Sequence, residues 1–348
     1  MKKTLCTIGV FVLSFAVLFT GCSKSGSGAS GGESKAAAQT IKVKMTHTGT
    51  ELTMAHQAFM VIKEALEKNS NGVFQVDIYP NGTLGNDAQI VEAVQEGDVQ
   101  MMFTNTGNLL SFVPELGVYA VPFAFPDNAT AYKVIDGPFG KEMLDMMESK
   151  GHMVGLSYLE AVAYRELSSN REIRTPNDLK GLKIRVMTNP IHVAIWETLG
   201  AQPTPISFAE LYTALQQKTV DAQENPLELF IFSRFYEKQT HLTLTHHLFT
   251  TGMFCANPEW FNKLSPDLQK VVRDAAMEGT LFQRKKAAED YAGYLKTLAD
   301  ANVTVIELTS DELNQWRTKV APVVDMIAKE VGGRELIDRL TRAVDAAK

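Results

Sequence analysis

The sequence predicts an α/β protein of two lobes, and three observations carry that reading. After an N-terminal leader and a polar tether, about 300 residues remain, which is long for one hydrophobic core and typical of two. From residue 41 onward, apolar residues alternate between strand-like and helix-like periods, as βαβ units do. Helical character that starts at Ser265-Pro266-Asp267 then persists past Phe282 to about Leu298 without a sustained heptad. That exceeds the ordinary length of a globular helix and shows no coiled-coil seam.

The leader comes first. Lys2 and Lys3 precede an apolar run from Ile8 to Phe19 that is short for a bilayer span, so residues 1–21 read as a signal peptide. The run ends in LFTGC, a lipoprotein-like junction that would make Cys22 the acylated mature N-terminus; the alternative is ordinary secretion with Cys22 free or lost. Residues 22–40 are rich in glycine and serine and read as a flexible tether. Such a coil would hold the folded part roughly 20–25 Å from the membrane. Cys6 leaves with the signal, so Cys255 stands alone in an export compartment, without an internal disulfide, as a buried small residue.

Charge narrows the classes further. The chain carries 34 basic and 40 acidic residues; without Lys2 and Lys3 the balance is 32 against 40, a net of −8 with no basic block. A net acidic chain of this kind is a poor nucleic-acid binder.

Residues 41–162 and 251–290 are assigned to lobe I, and residues 163–250 and 291–348 to lobe II. In lobe I, the strand Ile41 to Met45 runs into the polar turn from Thr46 to Gly49. A helix follows with Ala55, Phe59, Ile62 and Leu66 on one face, and Phe74, Val76 and Ile78 then alternate with polar residues as a strand. Asn86 or Asp87 caps a helix with Ile90, Val91 and Val94 inward, before a strand from Val99 to Phe103 that ends at Thr104-Asn105-Thr106-Gly107. Both strand ends would wall a cleft, and Thr46, His47 and Asn105 are the candidates there. Their plainer use is as turn residues that bond their own backbone. The stretch from Val118 to Asn128 is read as packing, and helix then strand follow, with Val154 to Tyr158 the strand.

The best candidates lie between Gly181 and Pro226. Leu182 to Val186 is a short strand-like run in which Lys183 and Arg185 alternate with apolar residues, and Arg185, near its end, sits just before Thr188 and the helix start Asn189-Pro190. An always-charged planar fork at a strand-to-helix corner suits a carboxylate or a phosphate. Thr188 is counted among the ligand-binding candidates. Upstream, Thr175-Pro176 opens a one-turn helix, with Arg171 and Arg174 read as solvated. Ile191, Ile195 and Leu199 make a helical stripe closed by Gly200. Ser207 and Glu210 form a capping-box pattern that puts Phe208 at a helix start near the cleft. A second corner falls at Glu224-Asn225-Pro226, and Val303 to Leu308 reads as a late strand before amphipathic C-terminal helices.

KGLKIRV and GAQPTPISFAELYTALQQKTVDAQENP, with YPNGTLGNDAQIVEAVQEGDVQMMF upstream and LSPDLQKVVRDAA downstream, resemble the DctP-type solute-binding subunit of tripartite ATP-independent periplasmic (TRAP) transporters. The resemblance covers nearly the whole mature chain. It implies a periplasmic-binding-protein-like fold with the ligand cleft between lobes and a long helix spanning both. It also implies a ligand carboxylate on Arg185, with Asn225 beside it and Arg165 as a second cation. Asn105 would face the ligand and Phe208 would pack on it, though that phenylalanine could equally be core. Sialic-acid-binding relatives carry glutamate at the Asn105 position, which speaks against that substrate here. The implied partners are the small and large TRAP membrane subunits, with an organic acid as ligand; the chain itself is expected to be a monomer anchored by lipid on Cys22, with no cofactor and no metal. C4-dicarboxylates, 2-oxo acids and uronates all stay open.

The alternative reading is a secreted enzyme acting on a small organic anion. Against it, H-E-x-x-H and P-loop patterns are absent, the matches to G-x-G-x-x-G at residues 26–31 and to G-x-S-x-G at residues 28–32 fall in the Gly/Ser-rich tether without a flanking strand or helix, and His246-His247 has no metal-ligand companions at a telling spacing. A purely structural lipoprotein would have no need of two arginines at strand ends.

Overall fold

The computed structural model describes residues 40–159 and 164–348; the predicted signal peptide, Cys22 and the tether up to residue 39 lie outside the described residues. Taken in order, the first elements are β1 (Ile41–Thr46), α1 (Met54–Asn69), β2 (Phe74–Tyr79), α2 (Asp87–Glu96), β3 (Met101–Asn105), α3 (Asn128–Asp136), α4 (Pro138–Ser149) and β4 (Val154–Tyr158). The middle of the chain supplies β5 (Tyr164–Ser169), β6 (Lys183–Val186), α5 (Pro190–Leu199), β7 (Gln202–Pro205), α6 (Phe208–Gln216), β8 (Ala222–Pro226), α7 (Leu227–Phe232) and β9 (His241–Phe249). Last come β10 (Gly252–Ala256), α8 (Pro258–Lys263), α9 (Pro266–Asp300), β11 (Thr304–Glu307), α10 (Ser310–Val320), α11 (Val323–Glu330) and α12 (Arg334–Ala347).

These strands form two sheets, one in each lobe. The first has the order β2-β1-β3-β10-β4, with β10 antiparallel to both neighbours; the second has the order β11-β9-β5-β8-β6-β7. Within the second, β5 is antiparallel to β8 and β9, while β6 is parallel to β7 and β8. Thr250 and Thr251 carry the chain from β9 straight into β10 in the other sheet.

Local chemistry sets the element ends that matter for the site. The side chain of Asn86 accepts from the Gln89 amide and the Gln89 side chain answers, a full capping box that starts α2 with Asp87 in its first turn. Asn189 caps α5, Pro190 takes the first helical position, and Gly200 closes the helix at φ 105°, a conformation that a Cβ would strain. Two expectations shift. The third strand starts at Met101 rather than Val99, because pairing with β1 begins at Met45 opposite Met101 while the Val99 amide turns back to the Ala93 carbonyl. Helix α6 does start after Ser207, but without the predicted capping box: the Ser207 hydroxyl donates to the Glu210 carboxylate at 2.6 Å instead of capping the backbone.

The 35-residue α9 runs along both sheets. Val272, Ala275 and Ala276 join the core under α1, and Ala287, Tyr294 and Leu298 join the core beside α7. Gly279 permits the close approach to α1, since a Cβ there would lie 2.5 Å from Ile62. A third core holds Trp196 of α5 edge-on to Trp316 of α10 and extends to α3, α4 and α12, so the last helices lie against elements of both lobes.

Candidate functional site

The carboxyl ends of β1, β3, β6 and β8 converge on a cleft of about 200 Å³ between the two sheets. Its walls include His47, Asn105, Arg165, Arg185, Thr188, Phe208 and Asn225, that is, every ligand-binding candidate from the sequence except Thr46. Thr46 is fully buried and its hydroxyl donates to the Tyr79 carbonyl at 2.8 Å, so it serves the β1–β2 strand end.

Arg185, at the end of β6, is 2% exposed. Its Nε donates to the Ile206 carbonyl at 2.8 Å, while Nη1 is buried and has no partner among the described residues. Burial, then the nearby Arg165 charge, lowers its pKa to about 10, against the pull of Glu224 and Asp87. At neutral pH it is still a cation.

Arg165 is held differently. Its Nε donates to Glu224 Oε2, and its Nη2 to Glu224 Oε1 at 2.9 Å, to the Glu224 carbonyl at 2.5 Å and to Asn225 Oδ1 at 3.1 Å. The antiparallel pairing of β5 with β8 causes this, since it sets Arg165 opposite Pro226 and beside both residues. Its charge is therefore matched inside the protein, and only Nη1 makes no hydrogen bond to the described residues. Glu224 also meets His192 Nδ1 at 3.3 Å and His247 Nε2 at 3.2 Å. Burial would raise its pKa, but the Arg165 charge and these two contacts hold it well below the usual carboxylate range. Asn225 Nδ2 reaches Gln223 Oε1 at 2.5 Å, so the amide is fixed between the arginine and the sheet.

The facing wall comes from the first sheet. His47 is 1% exposed and stands edge-on to Phe59, with Nε2 3.1 Å from His56 Nδ1 and its own Nδ1 unpartnered. Burial, then His56, lowers its pKa to about 3, so it is neutral. Asn105 Oδ1 accepts from the Gly107 amide at 2.9 Å, the local turn bond weighed in the sequence, and the side chain lines the cleft as well. Phe208 packs edge-on against Phe235 and offers the cleft an apolar face.

Asp87, Glu228, Thr250 and Gln283 line the cleft too, and sequence reasoning missed their part in it. Asp87 reads in the sequence only as a helix-cap candidate. Glu228 had a signal, a lone acid in the apolar run LELFIF, and Gln283 had one in being polar on an inward helical face. Glu228 accepts from the Met54 amide at the start of α1, across the cleft, and burial lifts its pKa to about 7. Asn189 Nδ2 also crosses, reaching the Gly107 carbonyl at 3.3 Å.

Buried polar atoms in folded proteins are nearly always bonded. Four that are not, His47 Nδ1, Arg185 Nη1, Thr250 Oγ1 and Gln283 Oε1, share this one cleft. A larger hollow of about 1220 Å³ lies beside the segment Pro122 to Ala129. Glu166 there is engaged with His246 and Arg284 with Asp136, while Arg317 stacks over the Phe123 ring. Among the described residues no group of three or more potential ligands could hold a metal, and no helix is long and apolar enough to cross a membrane.

Two α/β lobes, linked by direct strand crossovers and a shared long helix and closed over a small cleft with orphaned polar atoms, define a solute-binding protein of the periplasmic type. The family model for bacterial extracellular solute-binding proteins, family 7 (DctP), matches residues 45–330, and the chain belongs to that family. It is 34% identical over 305 residues to the 2,3-diketo-L-gulonate-binding periplasmic protein of Escherichia coli, covering 86% of this chain and 90% of the relative. Among solved structures, the sugar acid binding protein of Advenella mimigardefordensis in complex with galactonate superposes with a TM-score of 0.86 at 35% identity, covering 89% of this chain and 99% of that one. A TRAP periplasmic solute-binding protein of Sulfurospirillum deleyianum with bound succinate gives a TM-score of 0.82 at 30% identity, covering 88% and 99%.

Proposed function

We propose that this protein captures an organic acid outside the cytoplasm and delivers it to a TRAP-type secondary transporter. The observation that carries the reading is the buried, unpartnered Nη1 of Arg185 in the cleft. A ligand carboxylate there forms the bidentate salt bridge that the protein itself does not supply. Asn225 and Arg165 line the same cleft, and closure of the lobes excludes water and strengthens the contacts. The relatives' ligands, diketogulonate, galactonate and succinate, are all organic acids. The small and large TRAP membrane subunits are the partners, and Cys22 carries the lipid that keeps the tethered domain at the membrane. The function is binding rather than turnover: His192 and His247 are both engaged with Glu224, and His47 is held neutral by burial.

A thermal-shift screen of carboxylic acids, after removal of co-purified ligand, tests this. Ligand at a hundred times its Kd adds about 2.7 kcal/mol, enough to move the melting temperature by several degrees. If dicarboxylates, 2-oxo acids, uronates and aldonates all leave it unmoved, the reading is wrong.

A further inference from the structure

Resting on that reading of the cleft, we propose that the ligand is a short polyhydroxy monocarboxylate and that Asp87 is the residue that turns dicarboxylates away.

Arg185 is the one cation of the cleft whose charge meets no carboxylate among the described residues. Arg165 is neutralised by Glu224, and His47 is held uncharged. One carboxylate therefore satisfies the site. A second would meet the carboxyl group of Asp87, which lines the same cleft and is an acceptor that gives a carboxylate no hydrogen bond.

Asp87 is placed to read hydroxyls. Its Oδ1 already accepts from Thr104 Oγ1 at 2.7 Å and Thr48 Oγ1 at 3.2 Å, which fix the carboxylate in one orientation. Both of these side-chain donors reach Oδ1 rather than Oδ2, and the side chain is partly open to the cleft. Gln283 Oε1, fully buried on α9, is a second acceptor, and it has no donor. Acceptors need donors: a ligand hydroxyl supplies one to each, whereas a carboxylate at neutral pH supplies none. Thr250 Oγ1 and His47 Nδ1 add two neutral polar atoms that a chain of hydroxyls can meet. The rings of Phe103 and Phe208 give the carbon backbone an apolar face. The volume, about 200 Å³, lies below the range of drug-sized sites and admits only a short acid.

The test pairs acids of equal length. Calorimetry on the full mature chain compares erythronate with succinate, and galactonate with galactarate. At least one aldonate should bind, and more tightly than the dicarboxylate of its length by about a hundredfold or more, since sites built for a hydroxyl reject analogues that leave their polar groups unpaired. Asp87→Asn keeps an acceptor for Thr48 and Thr104 but removes the charge. It should shrink that ratio below about tenfold by raising dicarboxylate affinity. The wild-type ranking needs no variant to fold, so it stands as a test by itself. A dicarboxylate that binds wild type as tightly as its paired aldonate overturns the proposal, and so does an Asp87→Asn ratio equal to wild type. Binding of none of the four acids, or unchanged aldonate binding in Arg185→Ala, instead sinks the carboxylate reading of the cleft beneath it.

Discussion

Replacing Arg185 by methionine should weaken ligand binding and strengthen the empty fold, and the opposite signs are what make the test informative. With ligand bound, the substitution orphans a buried carboxylate, at a cost of roughly 3–5 kcal/mol, or about a hundredfold to a few thousandfold in Kd. Without ligand, the guanidinium is a buried charge that makes no salt bridge to the described residues. Its pKa falls from 12.5 to about 10, which corresponds to roughly 3 kcal/mol of burial cost at about 1.36 kcal/mol per pH unit. A cation with a depressed folded-state pKa is charged in both states at pH 7, so that cost is fully present there. Methionine removes it but forfeits the Nε bond to Ile206, worth about 1 kcal/mol. The remainder predicts a ligand-free melting temperature about 2–6 °C above wild type. Calorimetric titration and scanning on one preparation read both numbers. Arg185→Lys keeps the charge without the planar fork and should lose at least tenfold in affinity. A ligand-free melting temperature that drops in Arg185→Met along with affinity would show that the residue holds the fold together, and the site assignment would go with it.

Glu224→Ala leaves Arg165 buried without its partner, and urea unfolding should register a loss of about 3–5 kcal/mol; a change below 1 kcal/mol would mean that the pair is not the anchor of the β5–β8 corner. Glu228 has a folded pKa raised from 4.5 to about 7, so its contribution is complete below pH 4.5 and is lost as pH rises through 7. Glu228→Gln should therefore flatten the fall in melting temperature between pH 5 and 8, and an unchanged slope would rule out that carboxyl as its source. Small-angle scattering should give a smaller radius of gyration with saturating ligand than without, and identical curves would point to a rigid site. Cys22→Ser should move the protein from the membrane fraction to the soluble one; a soluble wild type with no N-terminal lipid would refute the anchor.

The fold was legible in the sequence wherever a local signal and its consequence sit within one element. The stripe Ala55, Phe59, Ile62 and Leu66 is buried on α1, Asn189-Pro190 starts α5, and the run from Ser265 became a single helix. The placement of Arg185 at a strand-to-helix corner was equally local, and the motif resemblance extended it to Asn225 and Phe208. What lies between elements could not be read this way. Arg165 and Glu224 are 59 positions apart, and no spacing rule predicts that an antiparallel register brings their side chains together. That register alone decided which arginine keeps a free charge. Asp87, Thr250 and Gln283 come from α2, a sheet crossover and α9, three places with unrelated local patterns, and meet only because two lobes close on the same small space. Periodicity records which way a residue faces within its own element, because that depends on neighbours a turn away. Which polar atoms are left without a partner depends on every element packed around them, and only the assembled tertiary structure decides that.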